Sequence, residues 1–404
     1  MSKISGLHSS SVKKRERKIF VFSTLIICAA FGEVSTGLIV PAMPTLGELF
    51  AKSPGVIQLT ITCFAIMFAS GQLFFGPFSD LRGRRTALTI GAFLTVLGSL
   101  LATIADSFWL IVLGRAIQGL GASSGYVIAR AIIRDLYGAE DSAKAMAVLF
   151  AFMSASFLIA PLIGGNLIDI ANWRAGFFLA TCIAFTWLIL NLFIMPETKK
   201  IKDHFNLSKV VLVYLDLFKH FGFLAFMLTH STAYAGLYCF VSGGPYVFIE
   251  SLSITPATYG MIAAIIMSGF FIGSSVARYA IPVLGMKRVI LISLGLMIIA
   301  PGIMAAIVYH EWLDMGLIIP LGFLYWFGAG FLAPNTAAGV MMSHPDAAGA
   351  AAAVLGFSQM CLAGLVSLLQ GLIYSGSLMT VVGMQFLLGL LTLLIWGTLV
   401  RFTK

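Results

Sequence analysis

The chain has 404 residues, of which 59% are hydrophobic and only 10% charged, with a mean hydropathy of +1.00 and a formal net charge of +9. Soluble domains carry roughly a quarter charged residues, so this composition excludes a string of water-soluble domains. The apolar residues fall in runs of about twenty, the length that crosses a bilayer as helix.

Apolar runs read against turn and charge clusters predict twelve spans. They lie near 19–45, 56–78, 87–105, 109–133, 144–167 and 174–195, and then near 221–249, 257–281, 288–308, 315–340, 349–375 and 379–400. The apolar run from Ile19 to about Val40 has no small-residue cleavage site, so it reads as a retained first span rather than a signal peptide. Residues 1–18 then form a tail, 19–195 and 221–400 two groups of six spans, 196–220 a central loop and 401–404 a second tail. Within that loop, Phe205 to Phe221 mixes apolar and charged residues and is too short for another span. It reads as a helix lying on the membrane surface. Of the 25 basic residues, 20 fall on the side of both termini and only Lys52 and Arg174 on the other. By the positive-inside rule both termini face the cytoplasm. The positive charge therefore reports orientation and contact with anionic lipid, not a nucleic-acid footprint.

Cys28, Cys63, Cys182, Cys239 and Cys361 all lie in apolar runs without a close pair, which argues against disulfides and zinc. No phosphate-binding loop, metal-ligand cluster or Ser/His/Asp set is visible, so no metal, cofactor or catalytic residue is expected. Trp109, Trp173 and Trp312 fall near the outer boundary as an interfacial belt. His230 reads as a hydrogen-bonded histidine, and Gly269 with Gly273 as a packing pair.

Several stretches depart from a generic bundle. After span two comes Gly76-Pro77-Phe78-Ser79-Asp80-Leu81-Arg82-Gly83-Arg84-Arg85, echoed about half a chain later by Gly285-Met286-Lys287-Arg288. Such duplication is a common plan of secondary transporters. Span four carries Arg115-Ala116-Ile117-Gln118-Gly119 and continues through Ala129-Arg130-Ala131-Ile132-Ile133-Arg134-Asp135. An arginine within the membrane is costly unless it finds water or an acceptor. Span five carries Ala160-Pro161-Leu162-Ile163-Gly164-Gly165, where proline bends the helix and small residues allow close approach.

The first of these resembles the G-x-x-x-D-R-x-G-R-R signature of the major facilitator superfamily, with Leu81 at a usually basic position. The second resembles its R-x-x-Q-G motif, and the third its G-P-x-x-G-G antiporter motif. Together with Trp173-Arg174-Ala175-Gly176, Pro196-Glu197-Thr198 and Gly243-Gly244-Pro245, the chain looks like the bicyclomycin/chloramphenicol-resistance type of twelve-span drug:proton antiporter. The resemblance implies an all-α polytopic membrane protein of the major facilitator fold, with 12 transmembrane helices as two six-helix bundles around a central cavity. It implies a cytoplasmic gate at Gly76, Asp80, Gly83, Arg84, Arg85 and Asp135, with Arg84 paired to Asp135 and Asp80 near the start of span eleven. It links Arg115 to proton coupling, and Pro161, Gly164 and Gly165 to export rather than uptake.

Among the sixteen acidic residues, Glu33 alone lies near the middle of a predicted span. A lone carboxylate in the membrane core is costly and usually functional, and a proton and a substrate can compete for it. The relatives often carry an acid where this chain has Gly37, and Glu33 lies one helical turn earlier on the same face. Tyr126, Tyr234, Tyr238, Asn335, Gln359 and Met360 are the candidate cavity residues. The expectation is a monomer in a bacterial inner membrane that exports small organic compounds, drugs or an endogenous product such as a siderophore, against protons. An uptake symporter on the same fold is the rival reading.

Overall fold

A computed structural model of the chain describes residues 2–199, 207–312 and 314–402. The backbone polar groups of a membrane span must be satisfied within the span or across a closed barrel, and this chain takes the helical solution. Helix α1 (Ser2–Ile39) runs into a short 3-10 turn (Val40–Ala42) and α2 (Met43–Phe50), so its backbone is helical well before Ile19. The short α3 (Pro54–Ile57) leads into α4 (Leu59–Arg82), followed by α5 (Arg84–Thr103). A single helical run, α6 (Phe108–Ile170), holds spans four and five, and α7 (Arg174–Phe193) is span six. The segment expected to lie on the membrane surface holds helix α8 (Leu207–Leu217). Spans seven to twelve are α9 (Phe221–Pro245, extended by a π turn), α10 (Pro256–Leu284), α11 (Met286–Tyr309), α12 (Met315–Ser343), α13 (Ala348–Ile373) and α14 (Leu378–Leu399).

Eleven segments of the described residues are long and apolar enough to cross a membrane. The twelfth span, the first arm of α6, falls short on apolarity because it carries Arg115 and Gln118, both buried by neighbouring helices rather than shown to lipid. A straight 63-residue helix would be ~95 Å long, yet both arms of α6 reach the same end of α1. Arg115 on the first arm bonds Ser35 and Thr36, and Gly164 on the second packs on the Leu38 carbonyl. The run therefore doubles back between its two arms.

Small residues hold each bundle together. In the first, Gly98 and Gly121 let α5 and α6 meet backbone to backbone. In the second, Gly269 and Gly273 of α10 sit against the Phe323 and Phe327 carbonyls of α12, in keeping with a packing pair. The repeat is visible in the backbone itself. Gly83 ends α4 at φ +94, ψ 152, and Gly285 ends α10 at φ +78, ψ 152, a region that only glycine occupies readily. Of the three tryptophans assigned to the outer belt, Trp109 and Trp312 are exposed. Trp173 is not: it is buried edge-on against Phe50 and Phe177, because the turn before α7 tucks it under α2.

The two bundles meet along α4 with α13 and along the second arm of α6 with α10. Gln58 donates to the Ser242 carbonyl at 2.6 Å and accepts from Ser367 at 3.0 Å, and Thr62 donates to the Gly364 carbonyl at 3.0 Å. Asp169 accepts from the Ala257 amide at the start of α10. Further along α4, Gln72 donates to the Gly356 carbonyl. These stitches run from the end of the bundle that holds Gln58 toward its middle.

Candidate functional site

At the opposite end gather Arg84, Arg85 and Lys199, the basic end of the molecule. Arg84 is nearly buried and its guanidinium meets Asp80 at 2.9 Å, Asp135 at 3.2 Å and the Ser79 hydroxyl at 2.6 Å. Lys199 also binds Asp80, and Thr198 donates to Asp135. Glu197 closes over the turn by accepting from the Arg84 and Arg85 amides at 2.8 and 3.1 Å. Gly83 is required twice here, for its positive φ and because a Cβ would collide with the Glu197 carboxylate. Gly76, one turn before Ser79, supplies the carbonyl that Ser79 binds. Every one of these bonds lies within the first bundle and its exit segment. Among the described residues, no hydrogen bond joins Asp80 to the first turn of α13. Glu197, Thr198 and Lys199 were not among the site residues expected from sequence; the Pro-Glu-Thr stretch was visible, but not what it would fold onto.

Midway along the bundle interface lies a small cavity. Its walls are Glu33, Thr36, Gly37 and Val40 from the first span, Phe157 and Pro161 from the fifth, and Tyr238, Val241 and Met267 from the second bundle. Glu33 presents a carboxylate whose Oε2 is enclosed without a hydrogen-bond partner, and among the described residues no cation lies within ion-pair distance. Such an orphaned polar atom is costly where water is absent. Position 37 explains why the acid stands a turn earlier. A Cβ on Gly37 would lie 2.6 Å from the Ala160 Cβ and 3.0 Å from the Pro161 ring, so a side chain there would force span five away.

Arg115 is held differently. It is 1% exposed, donates to the Thr60 carbonyl and to Thr36, Ser35 and Gln118, and lies 4.0 Å over the Phe64 ring. Thr36, which it bonds, lines the same cavity as Glu33. Ser35 and Thr36 lie two and three residues after Glu33 in sequence, a signal that they belong to the site. Pro161 lines the cavity, while Gly164 seats span five on Leu38 and Gly165 seats it on Pro256 across the interface.

The other candidates divide. Tyr238 lines the cavity, and its hydroxyl approaches the Met360 sulfur at 3.9 Å. Tyr234 stacks on His230 beside a second, smaller space. There His230 is hydrogen-bonded to Thr336 at 2.8 Å and to Gln359 at 2.9 Å. Tyr126, beside Phe68, lies under the Arg130 guanidinium. Asn335 is fully buried and bonds the Phe331 carbonyl of its own helix, outside both spaces. No metal-binding group of three or more His, Cys, Asp or Glu occurs among the described residues.

Two helical bundles closing on a small apolar cavity with one membrane-embedded carboxylate define a multi-pass membrane transporter. The chain belongs to the Major Facilitator Superfamily, whose profile matches residues 25–367. It is 28% identical over 390 residues to Multidrug resistance protein D of Escherichia coli K12, covering 95% of this chain and 96% of that one. A Bicyclomycin resistance protein homolog of Haemophilus influenzae is 25% identical over 355 residues, covering 85% and 86%. The D-xylose-proton symporter structure superposes with a TM-score of 0.78 at 15% identity, covering 96% and 98%, which speaks for the fold alone.

Proposed function

We propose that this transporter exports small organic compounds from the cytoplasm in exchange for protons, by alternating access, with Glu33 as the group for which substrate and proton compete. The observation that carries the reading is the unpartnered Glu33 carboxylate in the wall of the interface cavity. A proton arriving from the outer side neutralises it and releases the substrate. Loss of that proton toward the cytoplasm restores the binding charge. In this reading the basic end faces the cytoplasm of a bacterial inner membrane, where its arginines and lysines also meet anionic lipid. The stitched end around Gln58 is then the closed outer gate. Arg115 keeps the first bundle's polar wall in register through Thr36, and the Gly83–Arg85 cluster with Asp80 and Asp135 is the gate on the cytoplasmic side. The protein works as a monomer and needs no cofactor. The names of the curated relatives, which refer to multidrug and bicyclomycin resistance, support drug-like cargo, and the span-five motif supports export.

The test is flux in everted membrane vesicles acidified inside, with the fluorescent quinolone norfloxacin outside. The expected result is accumulation that collapses when the pH gradient is dissipated. Accumulation indifferent to the gradient, or movement in the opposite direction, contradicts the reading.

A further inference from the structure

The stitched end of the molecule has two edges built from different chemistry. On the α4–α13 edge the bonds run between neutral groups, Gln58 with the Ser242 carbonyl and Ser367, and Thr62 with the Gly364 carbonyl. On the other edge the second arm of α6 lays one stripe, Pro161, Gly165 and Asp169, four residues apart, along the start of α10. Gly165 sits on the Pro256 carbonyl, and a Cβ on Gly260 of α10 would stand 2.6 Å from the Pro161 carbonyl oxygen, so the two backbones touch. One turn past Gly165, that closeness brings the Asp169 carboxylate to the Ala257 amide at 3.2 Å.

A helix leaves the N–H groups of its first turn without partners inside the helix. In α10 the first position is Pro256, which has no N–H. The Thr258 amide is taken by the Thr255 hydroxyl at 3.3 Å, and the Tyr259 amide by the Thr255 carbonyl at 2.9 Å. That leaves the Ala257 amide for a partner from outside the helix, and Asp169 of the other bundle supplies it. An anion is favoured there twice, by the charge-assisted hydrogen bond and by the positive end of the helix dipole. Among the described residues no Lys, Arg or His lies within ion-pair distance of Asp169. Its carboxylate is exposed and lines neither of the two internal spaces.

We propose that Asp169 is a positioning residue for the transport cycle, a latch of the first bundle that caps α10 of the second while the stitched end is closed. When the bundles part there, carboxylate and amide both pass to water, so each opening breaks a charge–dipole contact that the neutral edge lacks. Pro161 and Gly165 allow the approach, and Asp169 supplies the hold. The inference takes from the exporter reading only that the bundles part at this end, and adds a residue that sets how readily they do so. Removing the charge should therefore loosen this end without touching the cavity. Salt should loosen it as well, because ions screen a charge at an exposed helix end.

The test is cysteine labelling of the full chain in right-side-out and in everted vesicles, with salt equal on both sides. The reporter is Ser242→Cys, a buried position beside Gln58, and labelling by a water-soluble maleimide is counted above that of the chain without it. Asp169→Asn keeps the size and an acceptor oxygen but removes the charge. It is expected to speed labelling from the outer side about threefold at low salt. Asp169→Ala, which also removes the acceptor, should speed it at least as much. Raising KCl to about 0.5 M should bring the parent toward the rate of the Asn variant and leave that variant unchanged. Equal labelling of parent and Asn variant, or salt that speeds both alike, overturns the proposal. A lower melting temperature with unchanged labelling also overturns it, by assigning Asp169 to bundle stability alone. Labelling that rises from the cytoplasmic side instead supports the latch and overturns the orientation in the exporter reading. A latch that fails leaves proton-coupled export through Glu33 standing.

Discussion

The carboxylates of the basic end and the carboxylate of the cavity live by opposite rules. Asp80, Asp135 and Glu197 are each met by at least two donors, and their bonds tie three chain segments into one clasp. Glu33 has an oxygen that nothing in the fold satisfies. An acid whose partners are all supplied by the protein has a fixed place. One whose partner is missing must take it from solution, as a proton or as a ligand. In the proposed function, the difference separates residues that shape the transporter from the residue that works in it.

The largest effect expected from breaking this contrast comes from Glu33→Gln. It keeps the size of the side chain and should reduce gradient-driven norfloxacin accumulation to that of vesicles without the transporter. Its melting temperature should stay at or above that of the parent, because the change removes a buried charge at constant size. Undiminished accumulation would place coupling elsewhere. Next comes Gly83→Ala, which strikes the clasp. A backbone conformation that only glycine occupies readily costs an L-residue about 1–3 kcal/mol, and the added methyl also displaces Glu197. Thermal unfolding should fall by several degrees while the pH dependence of transport keeps its shape. A changed pH dependence would show that the clasp takes part in coupling.

The smallest expected effect is that of Gln58→Ala at the stitched end, which removes two cross-bundle hydrogen bonds. Such bonds contribute about 0.6 kcal/mol each in membrane bundles, so the closed state should lose roughly eightfold against the open one. A cysteine placed at Ser242 and challenged with a water-soluble maleimide reads this directly as faster labelling. Unchanged labelling would remove Gln58 from the outer gate.

Much of the architecture was legible because lipid leaves the chain few choices. Runs of apolar residues had to be helices, and the paired Gly83 and Gly285 turns announced two related halves that share a backbone conformation. Span four was legible by its place in the count although it fails on apolarity, since its polar side chains are wrapped by neighbours. Glu33 was legible because a lone acid in a span has no ordinary structural use. The absence of an acid at Gly37 was legible too, but its reason was not, since that reason is the Cβ of Ala160 on a different helix. Contacts between residues far apart in sequence escaped for the same cause. Glu197 reaches the Arg84 amide across 113 positions, and Gln58 meets Ser367 across 309. Trp173 was misplaced because an aromatic residue near a span boundary suits the interface as well as it suits the core.

The central claim is that one carboxylate serves proton and substrate in turn, and proton release tests it most directly. Purified transporter in lightly buffered solution, mixed with norfloxacin near neutral pH, should release protons as substrate binds. The Glu33→Gln variant should release none beyond the titration of norfloxacin itself. Equal release from both proteins would contradict the account.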